Sequence, residues 1–269
     1  MLSAWRTATP AVAGDLARLA VLTGHVHRAA ELLPRSEPES VMTSPEGAVI
    51  RVQPRITQAA LRLLVYSAVG GPLDSVTALE RRIDREVQGY VDASRRTVVR
   101  QSAMDLPAVQ TFPELGLQAV HRARAGGLYL MEWQWALAHG DTAGVRARLA
   151  AKLAGRKGRV PGDIPIDFTF QEARLLLQLG DTLTATEYLG RSLDALPTLG
   201  SMLLSLVSES AGLVRAMVLR AELAARTGDA ATAQRWSRAV LALWSDADVE
   251  LRPTVERMRT LAGPAQRQD

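Results

Sequence analysis

Four short strings, Gly24-His25, Gly140-Asp141, Gly180-Asp181 and Gly228-Asp229, each stand between two apolar-striped segments, and that recurrence narrows what the chain can fold into. In the clearest case, Leu213 to Asp246, the residues Leu213, Met217, Ala221, Leu223 and Ala224 recur at helical spacing before the turn. Ala233, Trp236, Ala239, Val240 and Leu243 do the same after it. Such spacing puts each set on one face of a helix. Gly228 is free to take the left-handed conformation that ends a helix, and Asp229 can accept a bond from an amide at the start of the next one. Two striped helices joined by so short a turn lie antiparallel and share their stripes. The fold class expected is therefore all-α: antiparallel helical hairpins stacked along the chain.

The same periodicity predicts helices over 12–23, 26–33, 55–69 and 74–87, the last reaching toward Val99. It continues with helices over 114–125, 128–138, 143–153, 167–179 and 183–196, the last of these closed by Pro197. A terminal helix over 250–261 tolerates Pro253 in its first turn. After Gly70-Gly71-Pro72, Asp74 is placed to cap. Two stretches break the pattern. Residues 34–54 carry Pro34, Pro38, Pro45, Gly47 and Pro54 and read as a long exposed loop; 101–113, with Pro107 and Pro113, read as an irregular connection. The expected division is thus 1–113, degenerate hairpins around a Pro-rich loop, and 114–269, a more regular repeat region.

Aligned on the turn glycines, the four segments share more than the turn. Seven residues before it stand Ala17, Trp133, Ala173 and Ala221; four before it, Ala20, Ala136, Leu176 and Ala224; five after it, Ala29, Val145, Ala185 and Ala233. Mostly small residues at these places let two helices approach closely. With the Gly-Asp turn and the closing proline, this pattern resembles the tetratricopeptide repeat (TPR) family. Eight before the glycine, where the family carries a large apolar residue, the chain has Leu16 once but Glu132, Glu172 and Arg220 elsewhere. The spacings from Gly140 to Gly180 and from Gly180 to Gly228 exceed the family's period of about 34 residues. The resemblance covers roughly 128–251. It implies a TPR-like α-solenoid that binds a peptide or partner protein in a groove lined by the first helix of each pair. By offset from the turn glycine, the groove residues implied are Arg18, Gln134, Arg174 and Glu222, with Arg215 and Arg226 nearby.

Charge offers an alternative. The net formal charge is only +4, but no acid occurs between Thr142 and Gly162, whereas Arg146, Arg148, Lys152, Arg156, Lys157 and Arg159 do. Such a run is either a solvated helix face with a loop or a contact for an anion or a nucleic-acid backbone, the latter using Lys152, Arg156, Lys157 and Arg159. Apolar residues make up 47% and charged residues 22%, which argues against disorder. With no cysteine, neither disulfides nor a thiolate zinc site can form. Arg6, Asp15 and Arg18 interrupt what would have to be an apolar signal core, and polar residues interrupt the most apolar run, 199–219. The expectation is a cytoplasmic protein without a membrane span.

Motifs for chemistry are missing. Ser208-Glu209-Ser210-Ala211-Gly212 lacks the first glycine of a nucleophile elbow, and Gly155-Arg156-Lys157-Gly158 lacks the spacing of a phosphate loop. Asp246, Asp248 and Glu250 alternate like a calcium loop, but Leu251 and Arg257 stand where that loop needs glycine and glutamate. His25 and His27 point to different sides of a helix and read as turn surface, and His121 and His139 have no partner by spacing. The aromatic residues Tyr129, Trp133, Trp236 and Trp244 are expected to fill space between helices. No catalytic residue, metal or cofactor is expected, and the function anticipated is a non-enzymatic interaction module.

Overall fold

The computed structural model describes residues 9–36, 40–43, 49–90, 92–111, 114, 128–156, 159, 164–198 and 204–263. Each recurring glycine ends one helix and opens another. Gly24, Gly140, Gly180 and Gly228 have φ of 80°, 89°, 80° and 79°, the left-handed region that an L side chain rarely adopts. The residue after each glycine donates its N–H to the carbonyl of Ala20, Ala136, Leu176 or Ala224, at 2.7, 2.9, 2.8 and 2.9 Å. That bond closes the helix end in the manner of a Schellman motif. Three turns then start the next helix alike: Asp141, Asp181 and Asp229 accept from the amides of Gly144, Thr184 and Thr232 at 2.9, 3.1 and 3.0 Å.

Twelve helices and one pair of strands follow among the described residues: α1 (Pro10–Leu22), α2 (Val26–Ser36), β1 (Ser40–Thr43), β2 (Val49–Val52), α3 (Pro54–Val69), α4 (Leu73–Val87), α5 (Ala93–Thr111), α6 (Tyr129–Ala138), α7 (Thr142–Ala154), α8 (Ile166–Gln178), α9 (Thr182–Asp194), α10 (Val207–Arg226), α11 (Ala230–Leu243) and α12 (Arg252–Ala262). The fold is all-helical apart from that hairpin. Among the described residues, no helix is long and apolar enough to cross a membrane.

Two expectations need correcting. Residues 34–54 are not a plain loop: Pro34 is buried inside α2, and β1 pairs antiparallel with β2 from Ser40 against Val52 to Thr43 against Val49. The Gln53 N–H donates to the Tyr90 hydroxyl at 2.9 Å, fastening the end of the hairpin to the end of α4. Nor is 101–113 irregular, because α5 runs through Pro107 to Thr111 with Val99, Ala103, Met104, Pro107 and Ala108 buried. Proline removes one helical bond there, while burial of the face sustains the helix on both sides. At α4, Asp74 sits in the first turn rather than at the cap, which Pro72 occupies. Its negative charge still suits the helix start. Beyond residue 114, the helix expected over 114–125, with His121, lies outside the described residues, as does Lys157.

The chain divides into two compact units: residues 1–18 with 26–145, and residues 19–25 with 146–269. The expected boundary at 113/114 therefore falls inside the first unit. In that unit α3 packs on α2, α4 and α5, and α5 packs on α4 and α6. Ile56, Leu63, Ile83, Met104, Leu130 and Met131 are buried there. In the second unit α8 packs on α9 and α10, and α10 packs in turn on α9, α11 and α12. Leu175, Leu189, Leu193, Val214, Val240 and Met258 supply buried side chains there, each stabilising by about 1.5–3 kcal/mol. The aligned alanines, Ala173, Ala185, Ala221, Ala224 and Ala233, are buried between these helices, which is what their size predicts.

Candidate functional site

In the second unit, α7 ends at Ala154, and α8 and α9 follow around the Gly180 turn. These segments line an open cavity of about 360 Å3. Leu149 and Leu153 from α7, Ile164, and Leu176 and Leu179 from the end of α8 form its apolar wall. The remaining lining is charged. Arg146, Arg156, Arg159 and Arg191 face Asp181 and Glu187 around it.

Not all of that charge is at liberty. The Arg146 guanidinium donates to the Leu179 carbonyl at 2.6 Å, meeting one of the free acceptors at the end of α8. Asp181 is the cap of α9. Arg156 pairs with the Glu172 carboxylate, whose side chain has 0% exposure, and donates to the Tyr188 hydroxyl at 2.6 Å. Tyr188 donates in turn to Glu172 at 2.7 Å. Burial pushes the Tyr188 phenol far above its ordinary value, and the charge of Glu172 adds to the effect, so the phenol keeps its proton and serves as donor. A carboxylate this deep persists only when paired and hydrogen-bonded, and removing one partner of such a pair costs about 3–5 kcal/mol. The triangle pins the segment after α7 to α8 and α9. Arg159 and Arg191 are exposed, and among the described residues their side chains make no such bond.

A second charged surface lies on α8, α10 and α12. Arg174 and Arg215 both lie over the Phe170 ring, at 5.6 and 4.7 Å from its centroid, so two cations approach one ring. Glu222 on α10 accepts from Arg257 on α12 at 3.2 Å, and Arg226 is exposed at the end of α10. Four of the expected groove residues, Arg174, Arg215, Glu222 and Arg226, thus fall on consecutive first helices of one unit. The other two, Arg18 and Gln134, belong to the first unit. Arg18 is paired with Asp15. Gln134 is only 2% exposed, so it is a packed side chain and not a groove contact. Offset alone carried it onto the face, but on α6 it lies on the buried side, next to Leu130, Met131 and Trp133. Lys152, from the basic stretch, is half-buried on α7.

Other carboxyls are buried without being brought to either site. Asp167 at the start of α8 is raised by burial, against the pull of bonds from Ser208 and the Phe168 amide. Glu209 accepts from the Leu206 amide at 2.9 Å and the Ser205 hydroxyl at 2.8 Å, reaching back over the start of α10. Asp105 on α5 is pushed up to about 7 by burial. Trp133, Trp236 and Trp244 are buried, as their size led one to expect, and Trp133 meets the Tyr129 ring edge-on at 4.8 Å.

Sequence reasoning missed Glu172, Tyr188 and Arg191 as members of a site. A signal was nevertheless present: Glu172 stands eight residues before its turn glycine, at a place where the repeat pattern calls for a large apolar side chain. A charge at a core position demands a buried partner. Compared with known proteins, the chain matches no family model, no curated protein and no solved structure.

Proposed function

We propose that the chain is a TPR-like stack of hairpins serving as a non-enzymatic docking module for a peptide or partner protein. The observation that carries this reading is the direct packing of α8 on α10 and of α10 on α12, which sets the first helices of successive pairs side by side. On them Arg174 and Arg215 lie against the buried Phe170 ring, with Arg226 further along and Glu222 engaged by Arg257. An excess of guanidinium on these helices suits an acidic peptide.

The test is an array of acidic, neutral and basic peptides probed with the purified chain, wild type against an Arg174→Glu, Arg215→Glu variant whose helicity is verified by circular dichroism. Selective capture of acidic peptides, lost in the variant, is the expected result. Capture indifferent to peptide charge or to the variant overturns the assignment.

The nucleic-acid reading of the basic stretch has less support. Among the described residues of that stretch, Arg146 is bonded to the Leu179 carbonyl and Arg156 is paired with Glu172, so neither is offered freely to a phosphate backbone.

A further inference from the structure

We infer that the cavity between α7, α8 and α9 is a binding site for a small organic monoanion, a carboxylic acid with an apolar body. This goes beyond the docking reading and involves other residues. Three observations lead to it.

The cavity's volume, about 360 Å3, falls at the lower end of the range typical of small-molecule sites and is too small for a folded partner. Its wall of Leu149, Leu153, Ile164, Leu176 and Leu179 is apolar, which favours burial of a hydrocarbon or aromatic body. Its charge is nearly balanced. The four lining arginines are opposed by Asp181, Glu187 and the Glu172 that binds Arg156, leaving one positive charge in excess. An excess of one suits a monoanion better than a polyphosphate.

Within this arrangement the roles separate. Glu172 and Tyr188 hold Arg156 in place, and Arg146 is held by the Leu179 carbonyl. Those two arginines shape the wall. Arg159 and Arg191 are exposed on the lining, and among the described residues neither side chain has a hydrogen-bonded or ion-paired partner, whereas the likewise exposed Arg146 is held by the Leu179 carbonyl. They receive the carboxylate, while the leucines take up the apolar body. Ala150 lines the cavity yet is exposed on α7, so a large side chain there fills the space without disturbing the core.

The experiment is calorimetric titration of the full chain with decanoate, naphthalene-2-carboxylate, decanol and acetate. The site requires saturable binding of one decanoate or one naphthalene-2-carboxylate per chain, tighter than about 1 mM, with decanol and acetate each at least about tenfold weaker. Arg159→Glu and Arg191→Glu each lower the affinity by about tenfold or more, as expected for a lost charge-assisted bond. Ala150→Trp abolishes binding, and Arg226→Glu, on the docking surface, leaves it unchanged. All four variants carry exposed substitutions, and unaltered thermal unfolding verifies that each is folded. Absence of binding by both acids overturns the inference, as does equal binding of decanol and decanoate, or indifference of the acids to both arginine reversals. Loss of acid binding in Arg226→Glu overturns the placement of the site.

Discussion

The Gly24 and Gly228 turns share the same backbone and differ in everything around it. Both glycines have φ near 80°, and in both turns the following N–H closes back on an alanine carbonyl, Ala20 or Ala224. A Cβ on Gly228 would meet nothing within 4 Å, and the same is true at Gly140 and Gly180. A Cβ on Gly24 would lie 2.6 Å from the Ala247 Cβ and 3.1 Å from the Trp244 Cδ1. The Gly24 carbonyl also accepts from the Asp248 amide at 3.0 Å. Glycine is thus required once at Gly228, for its backbone angle, and twice at Gly24, for the angle and for the close approach. The two also differ in what starts the next helix. Asp229 caps α11, whereas His25 holds the corresponding place.

The largest effect should come from Gly24→Ala, which combines left-handed strain with overlap against Ala247. We expect a loss of about 3 kcal/mol or more in urea unfolding, and a return of part of it when Ala247→Gly is added. A loss no greater than at Gly228 would break the comparison, showing that the approach to Ala247 is easily relieved. Gly228→Ala itself should cost about 1–2 kcal/mol, the strain alone, and Gly180→Ala should match it within error of the same measurement. Removing a cap is milder: Asp181→Ala should cost about 1 kcal/mol, because it strands the Thr184 amide at the start of α9.

The smallest effect is one of pH. Bonds from the Thr232 side chain and amide hold the Asp229 carboxyl below its ordinary range. A carboxyl lowered in the folded state stabilises above its unfolded pKa and loses that contribution as pH falls through the folded value. The difference in melting temperature between wild type and Asp229→Ala should therefore be present at neutral pH and shrink as pH falls below about 4. A difference that persists unchanged at low pH would mean that the bond, and not the charge, is what the cap contributes.

The turns were legible because their chemistry is local. Gly180 and Asp181 do in the structure what their residue types allow in any chain, and the helices around them follow from spacing. Where local chemistry and packing disagreed, local reading lost. Pro107 reads as a breaker, yet α5 continues because its face is buried on both sides of the proline. The strands in 40–52 hid among prolines, although Val49-Ile50-Arg51-Val52 is the kind of β-branched run that forms them. Gln134 was carried onto a groove by a repeat offset, while α6 buries that side of itself.

The sites divide along the same line. Arg174, Arg215, Glu222 and Arg226 could be placed on first helices from position alone, since a helix face is a property of sequence spacing. The triangle of Arg156, Glu172 and Tyr188 could not, because its members lie sixteen residues apart along the chain, beyond the reach of any one helix face. By itself, then, the sequence determined the helices, their stripes and the glycine turns that reverse them, each set by conformational and hydrogen-bonding preferences acting over a few residues. Tertiary structure alone decided that Gly24 has no room for a side chain, that Glu172 finds a cation, and that α7, α8 and α9 leave a cavity between them, since these depend on which distant surfaces meet and how closely.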